Sequence, residues 1–260
     1  MKEKPVLVLG AGGSRGLAHI GVLKVLEENG VKPRLIIGSS MGAIIGALYA
    51  DGKTPIEIER IVLKNNLLKF MHLNILASGL LDEKKLRRFI DEHFESKNFE
   101  SLKIKLIVTA LNANTTKQVK ISKGPIHDGL IPSISIPGLL KPYKKDGEYL
   151  IDAGLINPVP ISVAPKNSKI IAVDVDPKIR PVNDKTGFVE TMQHVFYSLQ
   201  KKASRKTFSW SKHKKKSIVL LDPDLGTRTL LDFRRQKEII LAGELEAKKK
   251  IKEIKELLSK

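Results

Sequence analysis

Leu35-Ile36-Ile37-Gly38-Ser39-Ser40-Met41-Gly42-Ala43-Ile44-Ile45-Gly46-Ala47-Leu48 is the stretch on which the fold turns. An apolar run stops at Gly38, passes through G-x-S-x-G and resumes as a helical pattern of small residues. This is the strand, sharp turn and helix of a nucleophile elbow, with Ser40 at the turn. Gly38 and Gly42 flank the serine and leave room for a strained backbone that lifts its hydroxyl clear. The positive end of the following helix would face a reaction centre where an oxygen becomes anionic. A Gly/Ser turn between two core elements fits the same residues, and the motif alone does not choose.

Upstream, Val6 to Leu9 reads as a short buried strand, followed by Gly10-Ala11-Gly12-Gly13-Ser14-Arg15-Gly16 and an apolar-periodic helix from Leu17 to Asn29 closed by Gly30. The loop fails as a dinucleotide fingerprint. G-x-G-x-x-G starting at Gly10 needs glycine where Arg15 stands, and the second strand ends in Gly38-Ser39 with no acidic ribose ligand. No G-K-[ST] closes this loop, which excludes a P-loop here. A glycine-rich loop opening a helix still presents backbone N–H groups to an anion. The oxyanion of an acyl-transfer intermediate suits it, with the N–H of Met41 completing the hole.

Downstream, Thr54-Pro55-Ile56-Glu57 is a capping box, so a helix should run from Pro55 towards Lys69. Asp82 reads as the cap of a helix ending near Phe94. Between them Phe70 to Leu81 is apolar and loop-like, which suits either a lid over a lipid pocket or ordinary packing. Ile104 to Asn112 and Gln118 to Ile121 read as strands, and Asp128 to Ser135 as a short helix interrupted at Pro132 and closed by Pro137-Gly138. Tyr149-Leu150-Ile151 leads as a strand into Asp152-Ala153-Gly154. An aspartate at a strand end beside small residues is where a doubly wound sheet places catalytic groups. Ile170 to Val175 supplies a further buried strand.

Residues 1–180 read as the catalytic core, and residues 181–260 as a helical region completing the same domain. Phe188, Val189, Met192, Val195, Phe196 and Leu199 share one helical face. The helix then becomes very basic from Lys201 to Lys216, with Phe208 and Trp210 interleaved. Ile218 to Leu221 resembles a strand, and a last helix starts at about Asp232.

With 260 residues and 42% hydrophobic content the chain can bury a sizeable core. The absence of cysteine excludes disulfides, thiolate zinc sites and cysteine nucleophiles. Lys2 and Lys4 run directly into Val6-Leu7-Val8-Leu9 and glycines, which is too short for a secretory apolar region. The longest uncharged run, Leu35 to Ala50, falls short of the roughly 20 apolar residues a membrane helix needs. The expectation is a soluble, cytoplasmic protein. Its formal charge of +18 attracts polyanions of any kind, nucleic acid and anionic lipid alike.

Three motifs in order make the chain resemble the bacterial and archaeal patatin-like phospholipases, a family of lipid acyl hydrolases. They are Gly10 to Leu23, Gly38-Ser39-Ser40-Met41-Gly42, and Ser135-Ile136-Pro137-Gly138 followed by Asp152-Ala153-Gly154-Leu155-Ile156-Asn157-Pro158-Val159-Pro160. The resemblance spans residues 5–176. It implies a three-layer α/β/α fold with a mainly parallel central sheet, Ser40 as nucleophile, Asp152 as its catalytic partner, and Gly10, Gly12, Gly13 and Arg15 as the oxyanion region. Many members read D-G-G or D-G-A where this chain has Asp152-Ala153-Gly154. If position 153 needs a positive φ, alanine there costs about 1 kcal/mol.

The implied reaction is two-step acyl transfer on a lipid ester, with no metal or cofactor. A Ser-His-Asp triad is the nearest rival and would need His194 or His213, which follow the acid in sequence. His194 lies beside an apolar helical face and His213 within a lysine run, so a core or surface role fits both. His19, four residues beyond Arg15, reads as a brace for the glycine loop, and Arg15 as a cation that orients that loop or an acidic headgroup. The Lys201–Lys216 segment reads as a solvated helix end or as a face that docks on anionic membrane, Phe208 and Trp210 settling at the interface. No nucleic-acid-binding module accompanies these lysines, which sets that partner aside. The alternative to an enzyme is a catalytically inactive lipid-binding or scaffolding protein of the same fold.

Overall fold

Val6–Leu9 forms β1, whose residues are all buried because both faces of the strand are covered. Leu7 and Leu9 enter the larger core cluster, while Val6 and Val8 enter a second cluster on the opposite face. The computed structural model describes residues 4–64, 83–178, 181–184, 186–213, 217–230 and 232–259. β1 pairs in parallel with β2 (Leu35–Ser39) and with β7 (Lys169–Val173). β2 pairs in parallel with β3 (Lys105–Asn112), and β7 with β8 (Ser217–Leu221). On β3 two further strands run antiparallel, β4 (Gln118–Ile121) and β6 (Glu148–Asp152), and β5 (Tyr143–Lys145) pairs with β6. The eight-stranded sheet thus has a parallel centre, β3-β2-β1-β7-β8, and an antiparallel flank.

Helices cover both faces. α1 (Ala18–Glu28), α2 (Met41–Ala50) and α7 (Gln236–Ser259) pack with Leu7 and Leu9 on one side. On the other, Phe208 of α6 (Phe188–His213) packs with Val6, Val8 and Ile170. α1 and α7 cross closely. A Cβ on Gly21 would strike the Ile240 carbonyl, and one on Gly243 the Ala18 carbonyl, so hydrogen at both positions sets the spacing between helix backbones. β8 and α7 come from beyond residue 180 and join the same sheet and core.

The capping box forms as expected: the Thr54 N–H donates to Glu57 Oε2 at 2.8 Å and the Glu57 N–H to Thr54 Oγ1 at 3.3 Å. It opens α3, described over Pro55–Lys64. α4 follows at Glu83–His93 and α5 at His127–Ser133. The lid expectation for Phe70 to Leu81 and the Asp82 cap lie outside the described residues. The first helix departs from its pattern, because Gly13–Leu17 winds as a 3-10 turn before α1 begins. β5 is a strand that periodicity misses, being three residues long with two lysines. Its hairpin with β6 was signalled by Asp146-Gly147, which take φ 49° and 82°. Among the described residues no helix is long and apolar enough to cross a membrane.

Candidate active site

The sheet brings Ser40 and Asp152 together by register. β3 pairs Thr109 with Ser39, and its next residue, Ala110, with Asp152. β2 runs parallel to β3 and β6 antiparallel, so their carboxyl ends approach each other at one level of the sheet. Antiparallel β6 thus reaches the level of Ser39 with its last residue, Asp152.

Ser40 sits between β2 and α2 at φ 54°, ψ −125°, a strained conformation for a residue with a Cβ. It caps α2, aligning the helix N-terminus with the hydroxyl. Close packing enforces the turn: a Cβ on Gly42 would overlap the Leu9 backbone and come within 2.7 Å of the Gly10 carbonyl oxygen. The Ser40 side chain neighbours the Asp152 carboxylate and favours its charged form, and both residues line one cavity.

Burial pushes the Asp152 carboxyl up from 3.8 to about 6, against the Ser40 hydroxyl and the Gly154 N–H, which favour its charged form. The Gly154 N–H lies 2.7 Å from Oδ1, and the Asp152 N–H donates to the Ser135 carbonyl at 3.0 Å, tying the acid to the Ser135-Ile136-Pro137-Gly138 segment. Ala153 is not among the residues with positive φ; it opens a short 3-10 turn, Ala153–Leu155. Alanine therefore brings no backbone strain there.

The glycine loop lies beside the acid, since a Cβ on Gly154 would come within 2.7 Å of the Ala11 Cβ. Its N–H groups are not equivalent. Those of Gly10 and Ala11 are committed to the carbonyls of Val173 and Pro158, at 3.0 and 2.8 Å. This corrects the assignment of Gly10 as a donor to an oxyanion: it anchors the loop to β7. Gly12 and Gly13 donate to no backbone carbonyl among the described residues, and Gly13, at φ 55°, packs against Leu230 where a Cβ would collide. Met41, first in α2, has an N–H without a helical acceptor.

His19 braces the loop as expected, its Nε2–H donating to the Gly10 carbonyl at 2.8 Å. Burial lowers its pKa to about 4, so the ring is neutral near pH 7. Of the two roles read for Arg15, orienting the loop or meeting an acidic headgroup, its burial bears on the second. The residue is 0% exposed, which rules out direct contact with a headgroup in solvent. Its guanidinium stacks over Tyr197, 4.7 Å from the ring centroid, and Nη1 donates to the Arg228 carbonyl at 3.3 Å. Burial works against its charge, while Tyr197, Asp176 and Asp174 favour it.

A cavity of about 160 Å³ opens on Ser40 and Asp152, lined otherwise mainly by Gly12, Ile136, Pro137, Leu155 and Phe196. Two further groups at this cavity carry no motif. Gln200 of α6 donates from Nε2 to the Gly154 carbonyl at 2.9 Å, and its Oε1 has no partner. Leu230, also at the cavity, takes the Ser14 N–H on its carbonyl at 2.8 Å and gives its own N–H to the Tyr197 hydroxyl at 2.7 Å. Both come from beyond residue 180 and act through tertiary contact, which leaves no local signal in sequence. His194, offered as a triad base, does not line the cavity.

The patatin-like phospholipase family model matches residues 7–165. An uncharacterized NTE family protein of Mycobacterium tuberculosis is 33% identical over 158 residues, 60% of this chain and 44% of that one. Patatin-like phospholipase domain-containing protein 6 of Homo sapiens is 33% identical over 185 residues, 65% of this chain and 13% of that one. The chain therefore spans under half the length of these relatives. VipD from Legionella pneumophila superposes with a TM-score of 0.62 at 14% identity, over 96% of this chain and 67% of that one, a likeness of fold. With the match covering more than half of its residues, this chain belongs to the patatin-like phospholipase family.

Proposed function

We propose that the protein is a serine acyl hydrolase that cleaves carboxylic esters of phospholipids, lysophospholipids or related lipids. The observation that carries this is the Ser40 hydroxyl, held at a strained elbow beside a buried carboxylate in a largely apolar cavity. Ionised Asp152 accepts the Ser40 proton as Oγ attacks the ester carbonyl. The tetrahedral oxyanion is held by the N–H groups of Gly12, Gly13 and Met41. The C–O bond then breaks, and Asp152 returns the proton to the leaving alcohol. A water attacks the acyl-enzyme, giving its proton to Asp152, and the fatty acid leaves as Ser40 recovers its hydrogen.

A carboxylate raised to about 6 is a stronger base than an ordinary aspartate and is still mostly ionised near pH 7. Imidazole would be stronger, so the oxyanion donors carry much of the acceleration; losing one costs roughly 10²–10³ in rate. The cavity volume is below the roughly 300–1,000 Å³ of pockets that enclose a drug-sized ligand. It suits the ester with the first part of a chain, the rest of the lipid extending outward. Ala153, the feature that would favour an inactive scaffold, loses that force in the absence of a positive φ.

The test is labelling by a fluorophosphonate, followed by incubation with a total lipid extract and mass spectrometry of the released species. Labelling and fatty-acid release should both disappear in Ser40→Ala. An unlabelled wild type, or release that survives the substitution, would overturn the assignment.

A further inference from the structure

α6 presents large aliphatic side chains to solvent on one stripe. Met192, Val195 and Leu199 are 53%, 45% and 50% exposed, and their spacing of three and four residues places them along one helical face. Isolated exposed aliphatics are ordinary, but three in register beside a cavity are not. The helix has other residues for its core contacts: Tyr197, Gln200 and Ser204 are buried, and Phe208 packs into the Val6 and Val8 cluster. Phe208 therefore turns inward and does not serve as the interfacial anchor expected from sequence.

The stripe borders the catalytic cavity. Phe196 and Gln200, each one residue on from Val195 and Leu199, line it with Ser40 and Asp152. Ile156, 43% exposed, follows Leu155 at the same cavity. Three and seven residues beyond Leu199, the stripe continues as Lys202 and Lys206, both exposed, with Arg205 exposed between them. Among the described residues no carboxylate forms an ion pair with any of the three. Over its whole length α6 has one acidic residue, Glu190, against five lysines and arginines.

The geometry points to this face of α6 as a docking surface for an anionic lipid bilayer, with the cavity mouth held against the membrane. Met192, Val195 and Leu199 enter the boundary between headgroups and acyl chains, and Lys202, Arg205 and Lys206 meet the headgroup charge. A lipid then passes from the bilayer into the cavity without crossing water. Charge complementarity selects this occupant: a second copy of a chain of charge +18 would bring like charge against the same lysines. The inference takes its purpose from the hydrolase reading, but its test does not depend on turnover.

The experiment uses the full chain carrying Ser40→Ala, so that the bilayer is not consumed. It is co-sedimented with vesicles of phosphatidylcholine alone and of phosphatidylcholine with one part in three phosphatidylglycerol. Binding should appear on the anionic vesicles and weaken as salt rises. Met192→Ser/Val195→Ser/Leu199→Ser should weaken it at least about ten-fold, through lost apolar burial. Lys202→Glu/Lys206→Glu should weaken it about thirty-fold or more at low salt, since one cation near an anionic surface is worth about five-fold. Leu241→Ser/Leu245→Ser, which removes an equally exposed pair on α7, should bind as the parent does. Unchanged urea midpoints show that each variant is folded.

Failure of the parent to bind, equal loss in the α7 variant, or full binding by the triple variant would overturn the proposal. So would a triple variant that dissolves a dimer while vesicle binding persists, or binding confined to nucleic acid. A chain that labels with fluorophosphonate but ignores vesicles removes this inference and leaves the hydrolase. One that binds vesicles but does not label does the reverse.

Discussion

Asp152→Asn should make the protein more stable and much less active at pH 8, and the first effect can be sized from burial. The folded carboxyl titrates at about 6, against 3.8 for an unburied one. Well below 3.8 the group is protonated in both states and costs nothing. As pH rises through 3.8 the unfolded chain releases its proton first, and stability falls until the folded carboxyl has ionised above about 6. At about 1.4 kcal/mol per tenfold change in ionisation constant, the ionised group costs the fold about 3 kcal/mol. Asparagine has the same shape and no charge. Its amide oxygen can accept from the Gly154 N–H, keeping the hydrogen bond of the native acid, and its NH₂ is a donor beside the Ser40 hydroxyl oxygen.

Urea denaturation from pH 5 to pH 8 should therefore show Asp152→Asn ahead of wild type by up to about 3 kcal/mol at the alkaline end, the gap narrowing steadily towards acid. Turnover should fall at least about 10²-fold with loss of the base. In the wild type, kcat/KM should rise with pH through a midpoint near 6. A variant no more stable than wild type at pH 8, a gap that does not move with pH, or an acid limb near 4 would refute the reasoning.

Ser40→Gly should be more stable than Ser40→Ala by about 1 kcal/mol in the same denaturation assay, because only glycine takes φ 54° without steric cost. Equal stabilities would mean that the elbow stores no strain. Gln200→Leu should lower kcat with little change in KM and move the acid limb above 6. Freed from its tie to Gln200, the Gly154 N–H holds the charged carboxylate less firmly; a limb left in place would assign Gln200 to packing alone. Gly243→Ala should cost about 2 kcal/mol, since its Cβ meets the Ala18 carbonyl at the α1–α7 crossing, while fluorophosphonate labelling per folded molecule is retained. A neutral effect on stability would show that the two helices can separate freely.

Local patterns carried much of this architecture. Val6–Leu9 and Leu35–Ser39 are legible as strands because both their faces are buried and nearly every residue is apolar. The elbow is legible because a strained turn packed against a strand admits few residue types, so Gly38, Ser40 and Gly42 leave a readable trace. The capping box at Thr54 is a reciprocal hydrogen bond within four residues, and it forms as written. Antiparallel β6 was harder, since direction in a sheet depends on partners distant in sequence. Arg15 shows the same limit: a charge near a helix start reads as exposed until Tyr197 and the Arg228 carbonyl, from far along the chain, close over it.

Residue types and their spacing, by themselves, determined the order of the three motifs, the elbow at Ser40 and the strand that ends in Asp152. These depend on backbone conformations and side-chain chemistry encoded within a few neighbouring positions. Tertiary structure alone decided that Thr109 and Ala110 bring Ser39 and Asp152 to one level, that the Gly10 N–H belongs to Val173 rather than to a substrate, and that Gln200 and Leu230 reach the cavity. Each of these is a pairing between segments remote in the chain, and such a pairing is chosen by competition among whole faces for burial and hydrogen bonds.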